Sequence, residues 1–197
     1  IKKVFLKKIE TIKNRFNFAN NDNPDFLNIH DCFEVIRGFN YVASHLEKVQ
    51  NNRDLLGPNV IDNVERGLKY SMEDITWAHQ EQTKIYNNFR KFFENYDVLI
   101  CPAASVSPFP HEQLFVEKIN NEKLPTYMRW LALSYAPTMA IPCAWALPCG
   151  LDHKNLPFGI QLIAPAGNDA KISEIALAIE DALSNHEETK RAIPDIV

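Results

Sequence analysis

Glycine is scarce in this chain: six in 197 residues, no two of them close together. That excludes a glycine-rich phosphate loop, whose backbone N–H groups must crowd around one anion. No serine stands in a Gly-x-Ser-x-Gly setting, so the nucleophile elbow is absent too. Nor is any serine followed by lysine three residues on, the spacing of a helical Ser-x-x-Lys dyad. Positive charge is not in excess, since 21 Lys and Arg face 25 Asp and Glu for a net charge of −4, and no nucleic-acid partner is expected. No apolar run approaches the roughly 18 to 20 residues that span a bilayer. Asn-x-Ser/Thr acceptor sites are missing.

Cysteine is present but sparse, as Cys32, Cys101, Cys143 and Cys149. Their spacing is too irregular for a disulfide-stapled miniature domain. Cys143, Cys149 and His153 invite a zinc reading, but five residues separate the cysteines and a fourth ligand is wanting. We expect free thiols, a cytoplasmic location, no metal and no cofactor.

What is there reads as helices alternating with short apolar runs. The chain opens on Ile1, so either a leader has been removed or the sequence begins inside a longer polypeptide. Phe5, Ile9, Ile12 and Phe16 recur at helical spacing among lysines, as on a surface helix whose apolar stripe packs on a protein body. Asn20 to Asp25 is a loop. Helices are predicted over 29–49, over 58–69 after Gly57-Pro58, and for about 24 residues from a cap at Ser71. Val98 to Cys101, closed by Pro102, reads as a buried strand, and 103–110 as the loop leaving it. A helix over 126–135, strands over 138–146 and 158–164 parted by a turn at 148–153, and a helix capped by Asn168 or Asp169 complete the pattern. The tail after Ser184 reads as polar and frayed.

The class is therefore α/β. Three strands make a poor independent domain, which favours a piece of something larger. We divide the chain into a helical lead-in (1–56), an α/β portion (57–185) and a polar tail (186–197). Gln161 is an amide inside an apolar strand and should sit in the interior bonded to neighbouring backbone, since an unbonded buried amide is costly.

Three motifs carry a resemblance. They are Tyr96-Asp-Val-Leu-Ile-Cys-Pro102, Ala136-Pro-Thr-Met-Ala-Ile-Pro-Cys143 and Leu156-Pro-Phe-Gly-Ile-Gln-Leu-Ile163, in that order and with fitting gaps. Together they resemble the last third of the amidase signature family, over roughly residues 55 to 185. Leu56-Gly57-Pro58-Asn59-Val60 and Glu65-Arg66-Gly67 are similar to a preceding helix of that family. Departures exist: Ala136 and Ala144 stand where glycine is usual, and Trp145 to Pro148 looks inserted.

The resemblance implies the C-terminal part of a large mixed β-sheet flanked by helices, incomplete as given. It implies an amidase, a hydrolase that cleaves carboxylic amide bonds with a serine nucleophile, a cis-serine and a lysine base. Those residues lie upstream of these motifs in the family, so no catalytic residue is expected in this chain. Its partners would be the N-terminal portion of the same fold and a small amide substrate. Thr138 and Trp130 are the substrate-wall candidates; Pro102, Pro137, Gly159 and Gln161 are the structural motif positions. Two alternatives are a non-catalytic truncated pseudoenzyme or interaction module, and an amidotransferase subunit within the family.

Overall fold

The computed structural model describes residues 1–19, 22–140 and 142–193. Asn20 and Asn21 of the expected loop, Ile141 of the second motif and the last four residues of the tail lie outside the described residues. In chain order the elements are α1 (Lys2–Ile12), α2 (Ile29–Asn51), α3 (Pro58–Gly67), α4 (Met72–Phe92), β1 (Leu99–Pro102), β2 (Lys118–Ile119), β3 (Glu122–Lys123), α5 (Ala132–Thr138), β4 (Cys143–Leu151), β5 (Pro157–Ala164) and α6 (Asp169–Ser184). The chain divides into two compact units, one of Ile1–Pro24 with Phe89–Val197, the other Asp25–Asn88.

The second unit is helical. Pro58 opens α3 at a position where no helical N–H is needed. The helices α2 and α3 meet at backbone distance: a Cβ on Gly67 would lie 2.3 Å from the Gly38 carbonyl oxygen. Arg37 donates to Asn63 at 3.0 Å and to the Tyr41 hydroxyl at 2.8 Å, tying the same two helices together. Ser71 and Asp74 form a reciprocal box at the start of α4. The Asp74 N–H donates to the Ser71 hydroxyl oxygen, and the Ser71 N–H to the Asp74 carboxylate.

The first unit holds a three-stranded sheet in the order β1-β5-β4, with both pairings antiparallel. The central strand β5 alternates. Phe158, Ile160 and Leu162 point into the core and are buried, while Gly159 and Gln161 on the other face are half-buried. The helix α6 lays Ile172, Ala176, Ile179 and Leu183 over that core. These recur at three- and four-residue steps, and each large apolar side chain so buried is worth about 2 kcal/mol. Ile12 of α1 is fully buried in the same cluster, with Phe5, Ile9 and Phe16 packed against it. The N-terminal stripe thus has its body of protein.

The structure moves several boundaries. Thr138 to Ala140 is not strand: α5 runs through Pro137 to Thr138, and N–H groups of Met139 and Ala140 still bond back to Ala136 and Pro137. The expected helix over 126–135 is only a 3-10 turn at Arg129–Leu131 followed by α5. Pro148, Cys149 and Gly150 belong to β4 rather than to a turn, with a bulge between Pro148 and Leu151. The sheet is not buried throughout, because Ala144, Trp145 and Ala146 on the edge strand β4 are exposed. The polar stretch after Ser184 is not loose either, for Thr189 is fully buried and its hydroxyl donates to the Leu183 carbonyl at 2.7 Å.

Candidate functional site

Pro137 and Gln161, far apart in sequence, meet through one carbonyl. A proline inside a helix has no N–H for the residue four positions back, which here is Leu133. The Leu133 carbonyl accepts instead from the Gln161 side-chain amide at 2.6 Å. The same amide nitrogen lies 3.1 Å from the Cys101 sulfur, and Cys101 is the residue paired with Gln161 across the β1–β5 ladder. One side chain therefore joins β5, β1 and the first turn of α5. Burial raises the Cys101 thiol pKa, with the Gln161 contact opposing it. A thiol held protonated is a poor nucleophile.

Gly159 and Pro102 stand beside this junction. The Ala103 N–H donates to the Gly159 carbonyl at 3.0 Å, and a Cβ on Gly159 would come within 3.3 Å of both Ala103 and the Leu147 carbonyl. Pro102 ends β1 opposite Ile160, on an edge strand where a missing N–H is tolerated. Of the wall candidates, Thr138 is exposed and its hydroxyl donates back to the Tyr135 carbonyl at 2.6 Å. Trp130 is half-buried and packs edge to face on Phe109, ring centroids 5.4 Å apart. Neither borders the 810 Å³ cleft lined by Lys8, Gly150 and Asp152.

That cleft opens between α1, the bulged end of β4 with the following turn, and the segment after α6. Gly150 sits there at φ +67°, and a Cβ on it would strike the Glu188 carbonyl oxygen at 2.4 Å and the Lys8 Nζ at 2.9 Å. Lys8 is 5% exposed and donates to the Glu188 carbonyl. Burial pulls its pKa down, against the pull of Cys149 and Glu188. Asp152 is 6% exposed; its Oδ1 accepts from the N–H groups of Lys154 at 2.7 Å and Leu156 at 3.1 Å. Burial opposes the charge of Asp152, but Ser107, Leu156, Lys154 and His153 outweigh it and hold the carboxyl below the usual range. Sequence reasoning missed this group. Its signals were Lys8, which shares a helix face with Val4 and Ile12 four residues to either side, and the glycine beside a buried thiol.

Ser44 Oγ and His45 Nδ1 lie 2.6 Å apart, but Ser44 is exposed, His45 is half-buried, and the Ser44 hydroxyl donates to the Asn40 carbonyl of its own helix. Its proton is already committed there. Among the described residues no group of three or more His, Cys, Asp or Glu is placed to hold a metal ion, and the four cysteines are free.

A glutamyl-tRNA(Gln) amidotransferase subunit of Clostridium acetobutylicum is 36% identical over 100 residues, covering 49% of this chain and 19% of that protein. The corresponding subunit of Halothermothrix orenii is 32% identical over 107 residues, covering 54% and 21%. Among solved structures, a crystal structure of an amidase superposes with a TM-score of 0.78 at 16% identity, covering 91% of this chain and 41% of the other. The glutamyl-tRNA(Gln) amidotransferase subunit of Thermotoga maritima gives 0.61 at 21% identity, covering all of this chain and 42% of that one. At such identities the superpositions establish the fold alone. The chain spans about a fifth of the length of those curated relatives and about two fifths of those solved chains. The sequence model of the Amidase family matches residues 10–172, most of the chain, with the junction of Pro102, Pro137, Gly159 and Gln161 inside the match, and the chain belongs to that family.

Proposed function

We propose that this chain is the C-terminal portion of an amide-cleaving hydrolase, cytoplasmic, whose serine nucleophile, cis-serine and lysine base lie outside it. In this reading it supplies sheet strands and one wall of the substrate pocket, with Trp130 and Thr138 facing a small amide substrate. The observation that carries the reading is the family match over residues 10–172 in a chain that spans two fifths of its structural neighbours. The lack of any Ser-x-x-Lys spacing supports it. Such chemistry splits amide cleavage into acylation and hydrolysis of an acyl-enzyme, and a chain without the activated nucleophile can do neither. Among the described residues no helix is long and apolar enough to cross a membrane.

The test is direct. The 197-residue chain, purified alone, should release no product from an anilide or a short aliphatic amide. Co-expression with the coding sequence immediately upstream of Ile1 should restore turnover. Turnover by the chain alone, abolished by replacing one of its own serines or cysteines, overturns the reading. If the upstream sequence restores nothing and encodes no serine and lysine at family spacing, the non-catalytic product is correct instead.

A second reading is an amidotransferase subunit, favoured by the names of the curated relatives from Clostridium acetobutylicum and Halothermothrix orenii. Glutamine-dependent amidation of glutamyl-tRNA by the reconstituted complete protein would support it, and plain amide hydrolysis without such transfer would exclude it.

A further inference from the structure

The outer edge of β4 offers unpaired backbone groups at two alanines. On the other side of the sheet the Ala103 N–H donates to Gly159, the residue opposite it, so 103 and 159 form a hydrogen-bonded pair of the antiparallel ladder. By alternation Gln161 and Ile163 also bond toward β1, which leaves Ile160, Leu162 and Ala164 to bond β4. The residues opposite those three are Leu147, Trp145 and Cys143. The backbone groups of Ala144, Ala146 and Pro148 therefore point away from β5, and among the described residues no strand lies beyond β4. Ala144, Trp145, Ala146 and Pro148 are all exposed.

Such an edge is a template for a further strand, and this one is self-complementary. When a second copy is laid antiparallel about a two-fold axis at Trp145, Ala144 of each copy meets Ala146 of the other. Two hydrogen-bonded pairs form. The two indoles, each 43% exposed in the single chain, then face each other across a non-hydrogen-bonded position, where side chains approach most closely. No charged residue lies between 142 and 151 to repel the second copy. What stands at both ends is proline. Pro148 faces outward, and Pro142, one residue before the strand, continues the same alternation. In the symmetric pair Pro142 meets Pro148 at each end, where neither has an N–H to give and each ring occupies space the partner backbone needs. We infer that the edge of β4 is a latent pairing surface for a second copy of this chain, kept unpaired by Pro142 and Pro148, which confine the ladder to the alanines between them.

Amide hydrogen exchange on the unaltered 197-residue chain tests the edge itself. Ala144 and Ala146 should exchange as open backbone, and Trp145 and Leu147, bonded to β5, at least tenfold more slowly. Equal protection of all four overturns the inference, since the edge would already be paired. Sedimentation equilibrium tests the prolines. The chain carrying Pro142→Ala and Pro148→Ala should dimerise at least tenfold more tightly than the unaltered chain, and its circular dichroism should gain the exciton couplet of paired indoles. In that background Trp145→Phe should remove the couplet, and Ala146→Pro should return association to the level of the unaltered chain. Association no tighter than that level, or tighter association without the couplet, overturns the inference. If the double variant does not fold, Pro148→Ala alone carries the same comparison with the same two outcomes. Exchange, mass and optical activity are read rather than turnover, so the result is independent of whether the chain belongs to an amide hydrolase.

Discussion

At the scale of single residues, the exchange between Pro137 and Gln161 makes the sharpest prediction. Gln161→Leu leaves the Leu133 carbonyl without its partner and should destabilise the chain by about 1 to 3 kcal/mol. In a Pro137→Ala background residue 137 regains an N–H aimed at the same carbonyl, so the cost of Gln161→Leu should fall by about half. Urea unfolding of the four proteins of this cycle measures the coupling, and simple additivity would mean that the proline and the amide are unrelated. Gly150→Ala should be worse than an ordinary surface change, by about 2 kcal/mol or more, because it adds both a left-handed strain and a clash with backbone. The sequence told that Gln161 needed a partner, since an amide in an apolar strand must be satisfied. It could not name Leu133, because that carbonyl is freed only once Pro137 is known to lie inside a helix.

At the scale of elements, the long amphipathic helices were legible and the segment around the second motif was not. Stripes at three- and four-residue steps and a proline at the helix start fix α2, α3 and α6 to within a few residues of where they lie. The capping box at Ser71 does the same for α4, and Ser71→Ala should lower thermal stability by about 1 kcal/mol, with Ser71→Asp largely restoring it. A Gly67→Ala substitution should force α2 and α3 apart, costing about 1 to 3 kcal/mol by overpacking. Thermal melts followed by far-ultraviolet circular dichroism would check both. The apolar run from Thr138 to Cys143 reads as strand on its own, yet its first part closes a helix. Local pattern cannot arbitrate there, because short apolar runs suit either state. The continuation of β4 through Pro148, Cys149 and Gly150 was hidden for a related reason: proline and glycine signal turns, whereas an edge strand with a bulge accommodates both.

At the scale of the whole molecule, the buried thiols should make stability fall on the alkaline side. Burial pushes Cys32 and Cys149 each up to about 11 from an ordinary value of 9.0, Cys32 helped by Glu81 and Cys149 opposed by Lys8. The folded chain keeps these protons when the unfolded chain would release them. Their contribution is therefore fully present below pH 9 and is lost as pH rises toward 11. Urea midpoints at about pH 8 and about pH 10.5 should differ, and Cys32→Ala or Cys149→Ala should each remove part of the difference. An unchanged difference in both variants would assign it to other groups.

The sequence by itself determined the α/β class, the membership signalled by three ordered motifs, and the absence of a Ser-x-x-Lys spacing. All of these are carried by residue type and spacing along the chain. Only the tertiary structure decided that the Leu133 carbonyl is Gln161's partner, that Lys8 is buried rather than one more surface lysine, and that Asp152 is left with an unbonded oxygen. The physical reason is common to all three. Whether a polar group is satisfied depends on atoms brought to it from 28 to 180 residues away, and no local pattern carries that information.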